Sequence, residues 1–117
     1  MNNKNIGNFG EEKSVDYLIN KNYKILDRNY RALGKEIDII AMDKNILVFI
    51  EVKTRNSKKF GNASEAVDYF KIKNIVTASL NYAVSKNLTE YQIRYDIIEY
   101  YIKEHHINHI ENAFYAL

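Results

Sequence analysis

Residues 35–54 read Lys35-Glu36-Ile37-Asp38-Ile39-Ile40-Ala41-Met42-Asp43-Lys44-Asn45-Ile46-Leu47-Val48-Phe49-Ile50-Glu51-Val52-Lys53-Thr54. Two apolar runs, Glu36 to Met42 and Ile46 to Thr54, flank Asp43-Lys44-Asn45, which has the composition of a turn, so the stretch reads as a β-hairpin. Ile46 to Ile50 is apolar at successive positions, the pattern of a strand buried on both faces. Glu51-Val52-Lys53 interrupts it. Glu51 and Lys53 share strand parity and point to one face, with Val52 on the other. Charges carried into a buried strand need partners, because unpaired burial is costly. The preceding strand offers Glu36 and Asp38, also of one parity. If Lys44-Asn45 is a two-residue loop, Asp43 faces Ile46, Asp38 faces Glu51 and Glu36 faces Lys53, with all four charged side chains on one face. A three-residue loop would put Asp38 on the other face from Glu51, because a one-residue slip reverses every side chain.

Working outward, Tyr23 to Arg31 reads as a preceding strand, and Ala32 to Lys35 with Gly34 as the turn between them. Together the strands form an antiparallel meander. Gly10 precedes a helical pattern whose stripe is Val15, Leu18 and Ile19. Beyond the hairpin, Asn56 to Asn62 is a polar loop. Asn62 with Glu65 three residues later resembles a capping box. The helix that follows runs to about Ser85 and carries Ile72, Ile75, Val76, Ala78, Tyr82 and Ala83. Gln92 to Ile102, rich in Tyr and Ile, reads as a fourth strand. The tail, His105 to Leu117, fits a short helix or a strand. The order is α-β-β-β-α-β, an α/β sandwich with a mixed sheet, and with no proline, repeat or linker it is expected to be one domain over residues 1–117.

The chain has 117 residues, 46% hydrophobic and 27% charged, the composition of an ordinary globular protein. It contains no cysteine, which excludes disulfides, thiolate metal sites and cysteine nucleophiles. The net charge of +2 permits nucleic-acid binding without arguing for it. Ile46 to Ile50, the longest apolar run, is far short of the ~20 residues that span a bilayer. Met1 to Asn8 is polar and lacks the apolar segment of a secretory signal, so the cytoplasm is the expected compartment and no membrane partner is expected.

Asp38 and Glu51 as cross-strand neighbours, with Cβ atoms about 5 Å apart, would repel each other. A hard divalent cation relieves that repulsion, and Mg²⁺ favours sites with one or two carboxylates and several waters. Such a metal stabilises charge developing on a phosphodiester and lowers the pKa of bound water. Lys53 could orient or deprotonate the attacking water, or offset charge at the scissile phosphate. The competing reading is a surface hairpin with a Glu36–Lys53 ion pair and two solvated carboxylates. Spacing alone divides the two evenly. Glu11 falls on the Val15–Leu18–Ile19 stripe, where as a first-turn residue it would gain from the helix dipole and could face the same cluster. Lys71 falls between Ala78 and Tyr82 on the second helix's apolar side, where it could snorkel outward or touch a phosphate bound at the cluster.

These residues resemble a known family. Gly7-x-x-Gly10-Glu11, Asn29-Tyr30-Arg31, Glu36-Ile37-Asp38-Ile39-Ile40-Ala41 and Val48-Phe49-Ile50-Glu51-Val52-Lys53-Thr54-Arg55 look like the bacterial YraN family. Lys71, Arg94-Tyr95-Asp96-Ile97-Ile98 and Ala113-Phe114 also match its pattern. Its members are small, functionally uncharacterised proteins assigned to the PD-(D/E)XK nuclease superfamily, similar in core to the archaeal Holliday junction resolvases. The resemblance implies a restriction-endonuclease-like core. It also implies that Asp38 and Glu51 are metal-binding acids with the Val52 carbonyl as a further ligand, that Lys53 is the catalytic lysine, and that Glu11 is an acid of the first helix beside them. The cofactor implied is Mg²⁺, with Mn²⁺ as a substitute. Lys35 stands where the family usually has Gly, with Gly34 one residue earlier, and Ser14 stands where it favours Ala.

Arg31, Arg55, Lys58 and Lys59 lie at strand ends or in the loop beyond Lys53, where they could hold backbone phosphates. For Lys58 and Lys59 a solvated basic loop is the simpler reading. The tyrosines are explained by packing before base stacking. His105, His106 and His109 could suggest a transition-metal site, since 105 and 109 would share a helical face, but without a second cluster or an acidic partner at clear spacing that site is disfavoured. The expected function is a Mg²⁺-dependent endonuclease acting on DNA, branched or damaged. The alternatives are a nucleic-acid-binding module without catalysis and an interaction protein of a DNA-processing assembly. Fold-level analogy with the junction resolvases admits a homodimer.

Overall fold

The computed structural model describes residues 3–58 and 69–116. They form helix α1 (Asn3–Asn20), strands β1 (Lys24–Ala32), β2 (Lys35–Asp43) and β3 (Ile46–Arg55), helix α2 (Tyr69–Ser85), and strands β4 (Gln92–Tyr101) and β5 (His106–Phe114). The strands make one sheet in the order β1-β2-β3-β4-β5. Pairing is antiparallel from β1 to β3, parallel between β3 and β4, and antiparallel between β4 and β5. This is the expected mixed α/β arrangement with a fifth strand at the edge, consistent with a restriction-endonuclease-like core.

The sheet is sandwiched between the two helices. Leu47, Val48, Phe49 and Ile50 are fully buried, as a strand at the centre of a two-faced core must be. Leu47 and Phe49 pack with Ile75, Ala78, Tyr82 and Ala83 of α2. Val48 and Ile50 pack with Val15 and Leu18 of α1. Asp43 pairs with Ile46 and Ile39 with Ile50, so the β2–β3 loop has two residues, as the spacing anticipated. In the β1–β2 hairpin Ala32 pairs with Lys35, leaving Leu33-Gly34 as the loop. Both have positive φ, 57° and 73°, the signature of a type I′ turn, and Gly34 supplies the second of these conformations without strain. The family's displaced glycine therefore still builds a tight turn here.

Two expectations are corrected. α1 begins at Asn3, so Gly10 and Glu11 lie well inside it rather than at its start. Ile19 is exposed, and the buried stripe is Glu11, Ser14, Val15 and Leu18. Ser14 is tolerated there because its hydroxyl donates to the Gly10 carbonyl at 2.8 Å. Of the two readings left open for the tail, the strand is the one found: it is β5, so His105 and His109 share no helical face. Its pairing to β4 shifts between Tyr95–Phe114 and Ile97–Ile110, and the freed N–H of Asn112 donates to Asp96 at 3.1 Å. The expected cap of α2, Asn62 with Glu65, and Lys59 lie outside the described residues.

One end of the sheet is held by a fully partnered charge cluster. Arg94, buried, donates twice to Asp96 (both 2.9 Å), once to Asp43 (2.9 Å) and once to the Tyr23 hydroxyl (2.7 Å). His109 Nε2 donates to Asp96 at 2.7 Å, and Tyr17 Oη lies 3.0 Å from His109 Nδ1. Burial would raise the Asp96 pKa, but the bonds from His109, Arg94 and the Asn112 N–H hold it below the usual carboxylate value. His109 is thus a core histidine, and among the described residues no three Asp, Glu or His side chains are grouped to hold a metal ion. Nor is any described helix long and apolar enough to cross a membrane.

Candidate active site

The candidate site lies at the opposite end of β3, and its geometry starts from a close approach of helix to sheet. A Cβ on Gly10 would overlap the Thr54 hydroxyl and lie 2.9 Å from the Thr54 Cβ. Only glycine lets α1 settle this near β3. Glu11 follows Gly10 and Lys53 precedes Thr54, so this one contact fixes the first helix's acid relative to the candidate lysine.

Asp38 sits where the sheet opens. The β2–β3 ladder ends at Ile39–Ile50, and the next residue of β2 makes no paired rung. Instead the Asp38 carboxylate accepts the Val52 N–H at 2.8 Å. On the other side Arg28 pairs with Ile39 and Tyr30 with Ile37, skipping Asn29, whose φ is 53°. Asn is among the residues that tolerate this left-handed conformation. The face alternation slips at the same place, since Ile37 packs in the α2-side cluster with Ile40 while Ile39 packs on the α1 side. Asp38 therefore stands between separating strands, not as the simple rung opposite Glu51 that uninterrupted pairing would give.

A cavity of about 570 Å³ opens at this gap, lined by Glu11, Asn29, Glu36, Asp38, Val52, Thr54 and Arg55, with Gly7 and Asn8 of α1. Glu11 is buried, its Oε1 makes no hydrogen bond, and the nearest cation is Arg28 at 3.8 Å. Burial, with Asp38 and Glu36 nearby, pushes Glu11 up to about 7 against the opposing pull of Arg28 and Asn29. With α1 starting at Asn3, no N-terminal helix dipole acts on Glu11 to offset that cost, contrary to the first-turn reading. Asp38 is likewise raised well above the usual carboxylate range, by burial and then by the charge of Glu51, despite the Val52 N–H and Lys71.

Glu51 is buried and carries both candidate lysines, with Lys53 Nζ at 3.7 Å and Lys71 Nζ at 3.6 Å from its Oε1. The Glu36–Lys53 pair drawn from ideal register does not form, because the strands have separated by that point. Glu36 binds Arg31 instead, at 3.0 Å, on the β1–β2 hairpin. Arg31 is highly exposed and engaged there, while Arg55 lines the cavity. The structure thus gathers Glu11, Asp38, Arg55 and the backbone of Val52 about the cavity and leaves Arg31 at its margin, while Glu51 with Lys53 and Lys71 lies outside that lining, toward α2, close enough for its charge to act on Asp38. Sequence reasoning missed Arg28 and Asn29. Asn29 lies in the quoted Asn-Tyr-Arg motif, where a turn-favouring residue inside a strand was the available signal.

These groups suit a hard divalent cation. Asp38, whose ionisation is opposed by burial and by the charge of Glu51, Glu51 itself, and a backbone carbonyl on an opened strand are oxygen donors of the type Mg²⁺ takes, with waters completing its shell. Asp38, Glu51 and the Val52 carbonyl would hold it. Lys53 and Lys71 already lie against Glu51 and would flank an anion brought to the same place.

The mixed five-stranded α/β sheet between two helices is consistent with a restriction-endonuclease-like core. The sequence profile of the Uncharacterised protein family UPF0102 matches residues 10–100. A UPF0102 protein of Clostridioides difficile is 47% identical over 114 residues, covering 97% of this chain and 100% of that protein. Relatives in Caldanaerobacter subterraneus (46% identical, 97% and 98% covered) and Alkaliphilus oremlandii (49% identical, 96% and 99% covered) are similar. The chain belongs to the UPF0102 family, the YraN family of the sequence motifs.

Two outcomes follow from this geometry. Gly10→Ala gains about 1 kcal/mol of helix propensity but costs about 1–3 kcal/mol of overpacking, so it destabilises the protein in urea unfolding. Adding Thr54→Ala recovers part of the loss. The second concerns pH. Glu11, ordinarily 4.5, is held near 7, and Asp38 is also raised, so between those values the folded state binds more protons than the unfolded one. Metal-free stability is therefore greatest near pH 5 and falls as pH rises through 7, by roughly 5–10 °C in Tm. Glu11→Gln flattens this dependence. A Tm that rises from pH 5 to pH 8 contradicts the assignment.

Proposed function

We propose that this protein is a Mg²⁺-dependent endonuclease that hydrolyses phosphodiester bonds in DNA, with branched or damaged structures as its substrates. The observation that carries the reading is the position of Asp38. It is held by the Val52 N–H at the gap between β2 and β3, beside a buried Glu51 that bears two lysines. Each residue has a role there. Asp38, Glu51 and the Val52 carbonyl bind the cation. That cation, when bound, supplies Lewis-acid stabilisation of charge on the phosphate and a more acidic water. Lys53, mostly buried, orients the attacking water or takes its proton, and Lys71 offsets phosphate charge from α2. Glu11, raised to about 7 by burial, can accept or hold a proton at the α1 side of the opening. Arg55 and Arg31 draw the backbone to the cavity mouth without reading sequence.

A second reading has an observation in its favour. Lys53 and Lys71 already compensate Glu51 without any metal, as a nucleic-acid-binding module that has kept the fold but not the chemistry would require. The two readings separate in one experiment. Cleavage of branched and nicked DNA substrates is measured with calorimetric Mg²⁺ and Mn²⁺ titrations of the same samples. The endonuclease reading expects wild type to bind metal and cut. Asp38→Asn and Glu51→Gln lose metal and lower the rate by at least about 10²-fold, while Lys53→Ala keeps metal and loses about 10²–10⁴-fold. DNA binding that is indifferent to Mg²⁺ and to Asp38→Asn, with no cleavage, supports the binding module instead.

A further inference from the structure

We propose that the rim formed by Arg55, Lys58 and Lys103, with His105 and His106, is a phosphate-binding track for a nucleic-acid strand leaving the candidate site. The inference rests on the nucleic-acid part of the preceding reading and not on hydrolysis. Glu51, Lys53 and Arg55 share one parity of β3, in steps of about 6.6 Å, so Arg55 continues the line that starts at the buried Glu51. Across the sheet, Arg55 pairs with Tyr101 and Tyr101 with His106, a row at the end of the strands. Tyr101 is buried and its ring stacks with His106 at 6.3 Å, while Lys58 Nζ lies 5.8 Å over the same ring.

The loop leaving β3 is then fastened to the β4–β5 turn. The N–H of Ile102 donates to the Arg55 carbonyl and that of Lys103 to the Asn56 carbonyl, both at 2.9 Å. Glu104 accepts the Ser57 hydroxyl at 2.9 Å and the Lys58 N–H at 3.1 Å. One carboxylate thus ties two segments together and is occupied in doing so, while the five basic side chains it gathers are exposed. Arg55, Lys58 and Lys103 less Glu104 put a formal charge of +2 on this one rim. A polyanion is therefore drawn to this rim, adjacent to the cavity that Arg55 also lines. Lys58, which sequence alone explains as part of a solvated loop, and the two histidines acquire a joint position. The occupant that fits is a strand's phosphate backbone passing from Lys53 over Arg55 toward the β4–β5 turn.

The test is fluorescence anisotropy of a labelled single-stranded oligonucleotide and its duplex, titrated in EDTA over a range of salt. Three neutralised contacts are worth about 0.7–0.9 each in the slope of log Kobs against log salt. The Arg55→Ala/Lys58→Ala/Lys103→Ala protein is therefore expected to lose about 2 from that slope and to bind at least about tenfold more weakly at low salt. Lys21→Ala/Lys24→Ala/Lys86→Ala, at exposed lysines away from this rim, is expected to match wild type. Far-ultraviolet dichroism and the melting curve confirm that both variants fold. Equal slopes and affinities for the rim variant and wild type overturn the proposal. So does competition by inorganic polyphosphate equal, per phosphate, to that of the oligonucleotide. Wild type that binds DNA through the rim but cuts none leaves the track standing and removes hydrolysis. Wild type that binds no DNA overturns both.

Discussion

The hydrogen bond from the Val52 N–H to the Asp38 carboxylate is the constraint on which the rest of this structure turns. It takes the place of a backbone rung, so β2 and β3 part at a defined residue. Parting opens the cavity, brings Glu11 of α1 to the gap, and leaves the carbonyl side of β3 accessible beside Glu51. A ladder continuing through Asp38 would close the same space. The central strand is well suited to bear such an interruption, because Leu47 to Ile50 are fully buried and anchor it between both helices. The cost of an irregular edge is thus carried by a core that does not move with it.

The two ends of the sheet treat charge in opposite ways. Around Arg94 every buried charge is matched: Asp96, Asp43, Tyr23 and His109 saturate one another, and Asp96 is held below its ordinary pKa. Around Asp38 the balance is unfavourable to ionisation. Two carboxylates are raised, a buried oxygen of Glu11 has no hydrogen bond, and Arg28 reaches it only at 3.8 Å. A protein able to build the first cluster has the means to satisfy the second. Local conflicts of this kind, set in an otherwise consistent fold, are where functional sites are expected.

Much of this was legible in the residues. The two-residue loop at Lys44-Asn45, the buried run before Glu51 and the meander of three strands follow from turn chemistry and alternation. So does the grouping of Asp38, Glu51 and Lys53 near one another. What pattern could not give is where pairing stops. Ideal register set Glu36 opposite Lys53, whereas the capture of Val52 by Asp38 separates the strands first and Glu36 turns to Arg31. The start of α1 was hidden because Gly7 and Gly10 look like helix breakers. Gly10 is inside the helix for a tertiary reason, the contact with Thr54, that no window of sequence displays. The tail defeated periodicity because its strand is bulged at Asn112 and half exposed.

The central claim, that the gap holds carboxylates waiting for a cation, is tested most directly by counting protons. Mn²⁺ is titrated calorimetrically near pH 6.5 in buffers of differing ionisation enthalpy. Because Glu11 and Asp38 are held protonated in part at that pH, binding is expected to release protons, fewer as the pH is raised past 8, and fewer in Glu11→Gln and Asp38→Asn. Mn²⁺ binding without proton release, or no binding at all, contradicts the account.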